Sequence, residues 1–223
     1  DQQILCTFAP MIFNDDKALK VAEFLLQIKA VKLQPNDPFT WASGIKSPIY
    51  CDNRVTLSYP NIRTFIRQEY AQSVIDSFGK PDVIAGVATG GIAQGALVAQ
   101  ELGLPFIYVR SAAKKHGMGN QIEGHFEEGQ KVVVIEDLIS TGGSSLKAVE
   151  ALREANLDVK GLVAIFTYGF DIAEENFTNA KCPYRTLTNY NILLEHAKET
   201  NLISEEEATS LLEWKTDPQS WKK

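Results

Sequence analysis

The chain has few cysteines and no long apolar segment. Its 223 residues include three cysteines, at positions 6, 51 and 182, which lie far apart and lack CxxC spacing. This pattern suggests neither a zinc site nor a disulfide framework and fits a reducing compartment. No apolar run approaches the roughly 18 residues of a membrane span, and the first dozen residues lack the basic start of a signal peptide. We therefore expect a cytoplasmic protein that contacts no membrane.

Positive charge is also scarce. There are 22 lysines and arginines against 28 aspartates and glutamates, a net charge of -6. Such a balance argues against a broad nucleic-acid-binding surface. The two commonest nucleotide-binding motifs are missing as well. No GxxxxGK[ST] segment is present, which excludes a P-loop, and no GxGxxG follows a strand with an acid about 20 residues later, which argues against a dinucleotide site.

The most informative segment that is present runs from Val132 to Ser145. Four β-branched residues predict a buried strand, and Glu136 and Asp137 follow it. A Thr-Gly-Gly-Ser-Ser turn then begins a helical pattern. The N–H groups at the start of that helix would converge on one point at the positive end of its dipole, which suits a phosphate. The paired acids suit two vicinal ribose hydroxyls, or a magnesium ion held through water. Together they predict a site for a phosphoribosyl group.

The rest of the chain alternates between predicted strands and helices, which indicates a parallel sheet covered on both faces. Ligands of such sheets bind at the carboxyl ends of the strands, where the turns at Thr89 and Asp137 fall. Predicted helices cover residues 17–29, the segment after Pro60, the segment from Gly90 to about Leu102, and residues 189–200 and 204–214; predicted strands cover residues 82–87, 105–110, 131–136 and 160–168.

Two further segments carry candidate binding residues. Residues 111–129 form a connection of about 19 residues with little regular pattern, and connections of this length are usually functional or disordered. It contains Lys114 and His116 among glycines, which predicts a mobile lid over an anionic ligand. The extended segment 39–54 holds Lys46, Tyr50 and Arg54 close together in sequence.

These segments resemble those of a known family. The strand, paired acids and turn resemble the phosphoribosyl pyrophosphate signature of type I phosphoribosyltransferases. Three blocks narrow the resemblance to the orotate phosphoribosyltransferases: Phe39 to Pro48, Arg110 to Gly117 with Gln121 to Gly124, and the signature itself. The resemblance implies an α/β type I phosphoribosyltransferase fold, with a central, mostly parallel sheet flanked by helices. It also implies one structural domain made of an N-terminal helix and hood (1–60), a core (61–170) and a helical C-terminal tail (171–223).

The resemblance further implies magnesium-dependent transfer of phosphoribose from phosphoribosyl pyrophosphate to N1 of orotate. Magnesium would be held mainly by the substrate, with Asp137 reaching it through water. Arg110, Lys114 and His116 match the family's pyrophosphate-binding lid, and Ser140 matches a position that contacts orotate. Lys114, His116 and Asp137 are the expected catalytic residues. The rest of the phosphoribosyl pyrophosphate site is expected at Glu136, Asp137, Leu138, Ile139, Ser140, Thr141, Gly142, Gly143 and Ser144. The family works as a homodimer in which each lid closes over the partner's site.

Four positions depart from the common family pattern. A lysine is often found where this chain has Ala42, another where it has Gly90, and a basic residue where it has Ser111. An arginine that often meets orotate has no counterpart near Tyr168. We therefore take Lys46 and Arg54 as the candidate partners of the orotate carboxylate.

Two other functions are compatible with the signature. One is a phosphoribosyltransferase for uracil or a purine, which would need no cation beside the base. The other is a regulator that keeps the fold and senses phosphoribosyl pyrophosphate while binding nucleic acid. Such a regulator should carry a basic face or a helix-turn-helix segment, and this acidic sequence suggests neither.

Overall fold

The computed structural model describes residues 15–40, 44, 46–111 and 121–222. The strands are β1 (Val31–Leu33), β2 (Phe39–Thr40), β3 (Lys46–Ser47), β4 (Ile49–Cys51), β5 (Val83–Val87), β6 (Phe106–Val109), β7 (Ile122–Glu123), β8 (Lys131–Ile139), β9 (Asp158–Thr167) and β10 (Tyr184–Asn189). The helices are α1 (Asp15–Gln27), α2 (Pro60–Phe78), α3 (Gly90–Leu102), α4 (Gly143–Glu154), α5 (Asp171–Asn179), α6 (Tyr190–Glu199) and α7 (Glu205–Thr216), with a 3-10 helix at Asn53–Ser58.

A six-stranded sheet organises the chain. Its strand order is β10-β9-β8-β5-β6-β7, and every pair is parallel except β6 with β7. Alternate residues of β8 enter opposite cores: Val133 and Ile135 pack in the core that includes residues of α1, α2, α6 and α7, whereas Val132 and Val134 pack in the core that includes residues of α4 and α5. The sheet is therefore covered on both faces, and the predicted α/β architecture is confirmed.

The small N-terminal strands form two antiparallel pairs, β1 with β4 and β2 with β3. We call this part, residues 31–58, the hood. It connects directly to α2, and the side chain of Asn53 bonds to the backbone of β8 near the carboxyl edge of the sheet. The hood therefore closes one side of the edge where the predicted phosphoribosyl site lies. No helix among the described residues is long and apolar enough to cross a membrane.

Three sequence predictions about the sheet need correction. Strand β8 runs to Ile139 rather than ending at Glu136, because β9 continues to pair with it, with Leu138 opposite Phe166 and Ile139 opposite Thr167. Strand β10 was missed inside the tail that was predicted to be helical. Its sequence, YRTLTN, lacks the apolar run of the central strands, as an edge strand can. The two-residue strand β7, inside the long connection, was also missed.

The predicted C-terminal helices are confirmed as α6 and α7. Helix α7 begins with a capping box, in which the Ser204 hydroxyl accepts from the Glu207 backbone and the Glu207 carboxylate accepts from the Ser204 backbone. Near its end, Trp214 is fully buried. The Trp214 ring packs edge-on against Tyr168 at 5.6 Å between centroids. The tail helix thereby supports the carboxyl end of β9.

Candidate active site

The carboxyl ends of β5 and β8 form one cavity of about 320 Å³. The two strands are neighbours in register, with Gly86 opposite Ile135, so the turns that follow them meet. The cavity is lined by Ala88, Thr89, Gly90, Glu136, Asp137, Leu138, Ser140, Thr141, Gly142, Gly143 and Ser144. The cavity therefore brings together the predicted residues from Glu136 to Ser144 except Ile139, and Arg110 does not line it. The side chain of Ile139 is fully buried in the core beside α4 and α5.

The turn after β5 lies directly on Asp137. A Cβ atom on Gly90 would stand 2.3 Å from Cγ and Oδ1 of Asp137, far inside van der Waals contact. Only a residue without a side chain leaves this carboxylate where it is. The departure from the common family pattern at Gly90 thus leaves space for the Asp137 carboxylate.

The loop before α4 is shaped to bind an anion. Gly142 is the N-cap of α4 and adopts a left-handed conformation with φ 79°, which favours glycine. Because this N-cap residue has no side chain to accept a hydrogen bond, the first N–H groups of α4 stay available to a ligand. Helix α5 holds the loop from behind: the Asn176 amide donates to the Thr141 carbonyl at 2.9 Å. The Phe177 ring fills the space beside Gly142.

The two adjacent acids have different environments. Glu136 is 4% exposed, and its carboxylate accepts from the Ser145 hydroxyl and the Asp137 backbone N–H, both at 3.0 Å. Burial, followed by repulsion from Asp137, raises the pKa of Glu136 well above its usual value. Asp137 is half-buried at the cavity wall. Asp137 is thus the more accessible of the two carboxylates to a ligand.

The burial of Glu136 predicts that the stability of the fold depends on pH. A folded-state pKa above the unfolded value stabilises the fold only at low pH, and this contribution is lost as pH rises through the folded pKa. Glu136→Gln has no proton to lose, so its melting temperature relative to that of the native chain should increase from about pH 5 to about pH 8. Thermal denaturation across this range measures the difference. Glu150→Gln, on the exposed face of α4, is the control and should give a constant difference. A constant difference for Glu136→Gln would contradict the assigned environment.

A second cavity of about 490 Å³ adjoins the first. Its walls are Phe39, Thr40, Tyr50, Cys51, Leu138, Ser140 and Tyr168. Leu138 and Ser140 line both cavities, so a ligand in one can be joined to a ligand in the other. The rings of Phe39 and Tyr50 lie 5.5 Å apart between centroids. The walls suit a flat, aromatic group.

The two candidate cations for an orotate carboxylate lie near this second cavity but do not line it. The ammonium group of Lys46 donates to the Thr40 hydroxyl at 2.9 Å, and Thr40 is a wall residue. Arg54 is paired with Asp52 through two hydrogen bonds, of 2.7 and 2.9 Å. That pairing lowers the pKa of Asp52. Lys46 is therefore the better placed of the two to meet an anionic ring substituent at the wall.

The predicted lid, residues 111–129, was drawn too long, because the chain returns to the sheet at Gln121 and forms β7 beside β6. The Arg110 backbone N–H donates to the Gln121 carbonyl, and the Gln121 amide donates to the Arg110 carbonyl, both at 2.9 Å. The Arg110 guanidinium lies 3.5 Å from the Glu123 carboxylate. Lys114 and His116 lie outside the described residues. Arg110 and Gln121, which precede and follow Lys114 and His116 in the sequence, therefore lie side by side at the edge of the sheet.

Several wall residues were missed by sequence reasoning. Phe39 and Cys51 belong to the N-terminal block but were given no role, and Tyr168 was named only as the neighbour of a missing arginine. The available signal was the presence of Phe39 and Tyr50 in the N-terminal block and of the Phe-Thr-Tyr-Gly-Phe run at 166–170. Among the described residues, no group of three or more histidine, cysteine or acidic side chains could hold a metal ion.

Known proteins resemble this chain in sequence. The phosphoribosyl transferase domain model matches residues 58–192. The orotate phosphoribosyltransferase of Bacteroides thetaiotaomicron is 60% identical over 90% of this chain and 94% of its own length.

Two solved structures have a fold similar to that of this chain. The orotate phosphoribosyltransferase of Aeropyrum pernix is 27% identical, with a TM-score of 0.72 over 82% of this chain and 99% of its own. The UMP synthase of Leishmania donovani is 28% identical, with a TM-score of 0.74 over 90% of this chain, which spans only 42% of that protein. Sequence, fold and relatives therefore agree that this chain belongs to the phosphoribosyltransferases and, among them, to the orotate phosphoribosyltransferase family.

Proposed function

We propose that the protein transfers phosphoribose from phosphoribosyl pyrophosphate to N1 of orotate, giving orotidine 5′-monophosphate and pyrophosphate for pyrimidine nucleotide synthesis. The observation that carries the proposal is the pair of adjoining cavities. The first combines a carboxylate with an uncapped helix start, as a ribose phosphate requires. The second has aromatic walls and meets the first at Leu138 and Ser140. The names of the relatives at up to 60% identity support orotate as the base.

The chain's own residues suit a reaction in which positive charge develops on the ribose. As the bond from C1 to pyrophosphate loosens, the Asp137 carboxylate holds the ribose hydroxyls and places negative potential beside the ring. Arg110, Lys114 and His116 offset the charge that builds on the leaving pyrophosphate. Orotate is already an anion, so the base needs little help to lose a proton. His116 accordingly stabilises charge or delivers a proton to pyrophosphate.

Magnesium fits the donor set of this site. Mg²⁺ binds through one or two carboxylates plus substrate phosphates and keeps several waters, and Asp137 offers such a carboxylate beside the uncapped start of α4. We propose that the phosphates of the substrate supply most of the other ligands of this ion. When bound, magnesium neutralises part of the pyrophosphate charge.

Lys46 is our candidate for the orotate carboxylate, through its position on Thr40, with Arg54 as the alternative. We further propose that the protein acts in the cytoplasm as a homodimer in which each lid closes over the partner's site, where it excludes water from the reactive sugar.

A panel of bases tests the function. The protein is mixed with magnesium and phosphoribosyl pyrophosphate, and the ultraviolet absorbance of orotate, uracil or hypoxanthine is followed. We expect the absorbance to change with orotate and to stay constant with uracil and hypoxanthine. A metal chelator should stop the change with orotate. Turnover only with uracil or hypoxanthine would overturn the substrate. Binding of phosphoribosyl pyrophosphate without turnover of any base would support a regulator instead.

A further inference from the structure

A buried amide connects the hood to the signature segment. Asn53 is 1% exposed and follows directly on the hood strand β4 and Asp52. Its side-chain nitrogen donates to the backbone carbonyl of Asp137 at 2.6 Å. Its side-chain oxygen accepts from the Cys51 thiol at 3.4 Å. Both polar atoms of this side chain therefore have partners. One partner is Cys51, a wall residue of the second cavity, which we call the base cavity. The other is the backbone of Asp137, which lines the first cavity.

The carbonyl of Asp137 lies where the sheet gives it no partner on one side. Strand β5 pairs with β8 only from Val132 to Ile135, so the backbone of β8 continues beyond its neighbour. A backbone carbonyl shielded from water needs a donor, and the buried Asn53 amide supplies one. The Asp137 backbone N–H donates to the Glu136 carboxylate. Two side chains therefore hold the peptide groups before and after the Asp137 Cα atom.

A second branch of the same chain of hydrogen bonds reaches α3. The Thr56 hydroxyl donates to the Asn53 carbonyl at 2.6 Å and accepts from the Gln94 amide at 3.0 Å. Thr56 and Gln94 are both buried. Gln94 lies one turn after Gly90, the residue that contacts Asp137. The hood, β8 and α3 are therefore connected through Asn53.

We propose that Asn53 is a positioning residue that couples the base cavity to the ribose-binding carboxylate of Asp137. Cys51 is a wall residue of the base cavity, and the Asn53 side chain links it to the Asp137 backbone through two hydrogen bonds. A base seated against the wall then holds Asp137 where the ribose hydroxyls need it. The proposal rests on the proposed function.

Kinetics of Asn53→Ala test the coupling. Small displacements of a catalytic group can cost about 100-fold in rate, so we expect kcat to fall roughly 10- to 100-fold while KM for phosphoribosyl pyrophosphate changes less than about threefold. Asn36→Ala is the matched control, since Asn36 also donates one side-chain hydrogen bond, to Glu207, but far from the site. Wild-type turnover of orotate tests the proposed function separately, and the variant-to-wild-type ratios test Asn53.

Asn53→Asp separates a positioning role from loss of packing. Aspartate has the same shape, but its carboxylate cannot donate a hydrogen bond to the Asp137 carbonyl.

We therefore expect Asn53→Asp to lower kcat about as much as Asn53→Ala does, roughly 10- to 100-fold, although it keeps the shape of the side chain. Thermal denaturation verifies that both variants are folded. A kcat of Asn53→Asp close to that of the wild type, or an Asn53→Ala effect confined to melting temperature, would overturn the coupling and leave Asn53 a structural residue only.

Discussion

Replacing Gly90 with alanine should lower kcat/KM at least about 100-fold, the scale expected when a catalytic group is displaced. The added methyl would stand 2.3 Å from the Asp137 carboxylate, so the carboxylate must turn away from the ribose. The fold should survive, because alanine suits the start of a helix and the neighbour that must move is a side chain. Steady-state kinetics with both substrates varied gives the size of the loss.

The control for this variant is Gly103→Ala, at the other end of the same helix. Gly103 has φ 64°, and a Cβ there would meet no atom within 4 Å. Its backbone conformation is strained for alanine, so this variant should lower the melting temperature and leave kcat/KM unchanged. The two variants thus separate stability from activity. A fully active Gly90→Ala would show that Asp137 need not occupy its present position.

Replacing Lys114 with alanine should lower kcat by roughly 10²- to 10³-fold, the range found when one preorganised donor to a developing charge is removed. Pyrophosphate gains negative charge as it leaves the ribose, so an ammonium group aimed at it acts mainly in the transition state. KM for phosphoribosyl pyrophosphate should change much less. Initial rates at saturating orotate separate the two constants.

Lys115→Ala is the matched control for Lys114, because it removes the same charge one position along the same segment. We expect its effect on kcat to be at least about ten times smaller, if position in the lid rather than net charge decides the rate. Equal losses in the two variants would indicate general electrostatic attraction. A change in KM alone for Lys114→Ala would contradict the catalytic role.

The cavity at the carboxyl end of β8 was predictable because its information is local. One strand and the start of the next helix contain the β-branched run, the acids and the glycine turn in succession. The grouping of Glu136 to Ser144 can therefore be predicted without knowledge of tertiary contacts. The covered parallel sheet was also predictable, since its central strands are apolar and alternate with helices along the chain. The strands that escaped prediction, β7 and β10, lie at the two edges of the sheet, where fewer neighbours demand apolar residues.

The contacts between distant segments could not be read from the sequence. The approach of Gly90 to Asp137 depends on the register of β5 against β8, and a glycine at that position looks at first like the loss of a lysine. The link from Asn53 to Asp137 joins residues 84 positions apart. The different environments of Glu136 and Asp137 likewise arise from packing, because their sequence positions differ by one.

A crystal structure of the protein with phosphoribosyl pyrophosphate, magnesium and an unreactive orotate analogue would test the central claim most directly. The two-cavity assignment predicts the 5′-phosphate on the backbone N–H groups of Thr141 to Ser144 and the ribose hydroxyls on Asp137. It places the base among Phe39, Tyr50 and Tyr168. A phosphoribosyl group bound away from Asp137, or a base outside the aromatic cavity, would contradict the assignment.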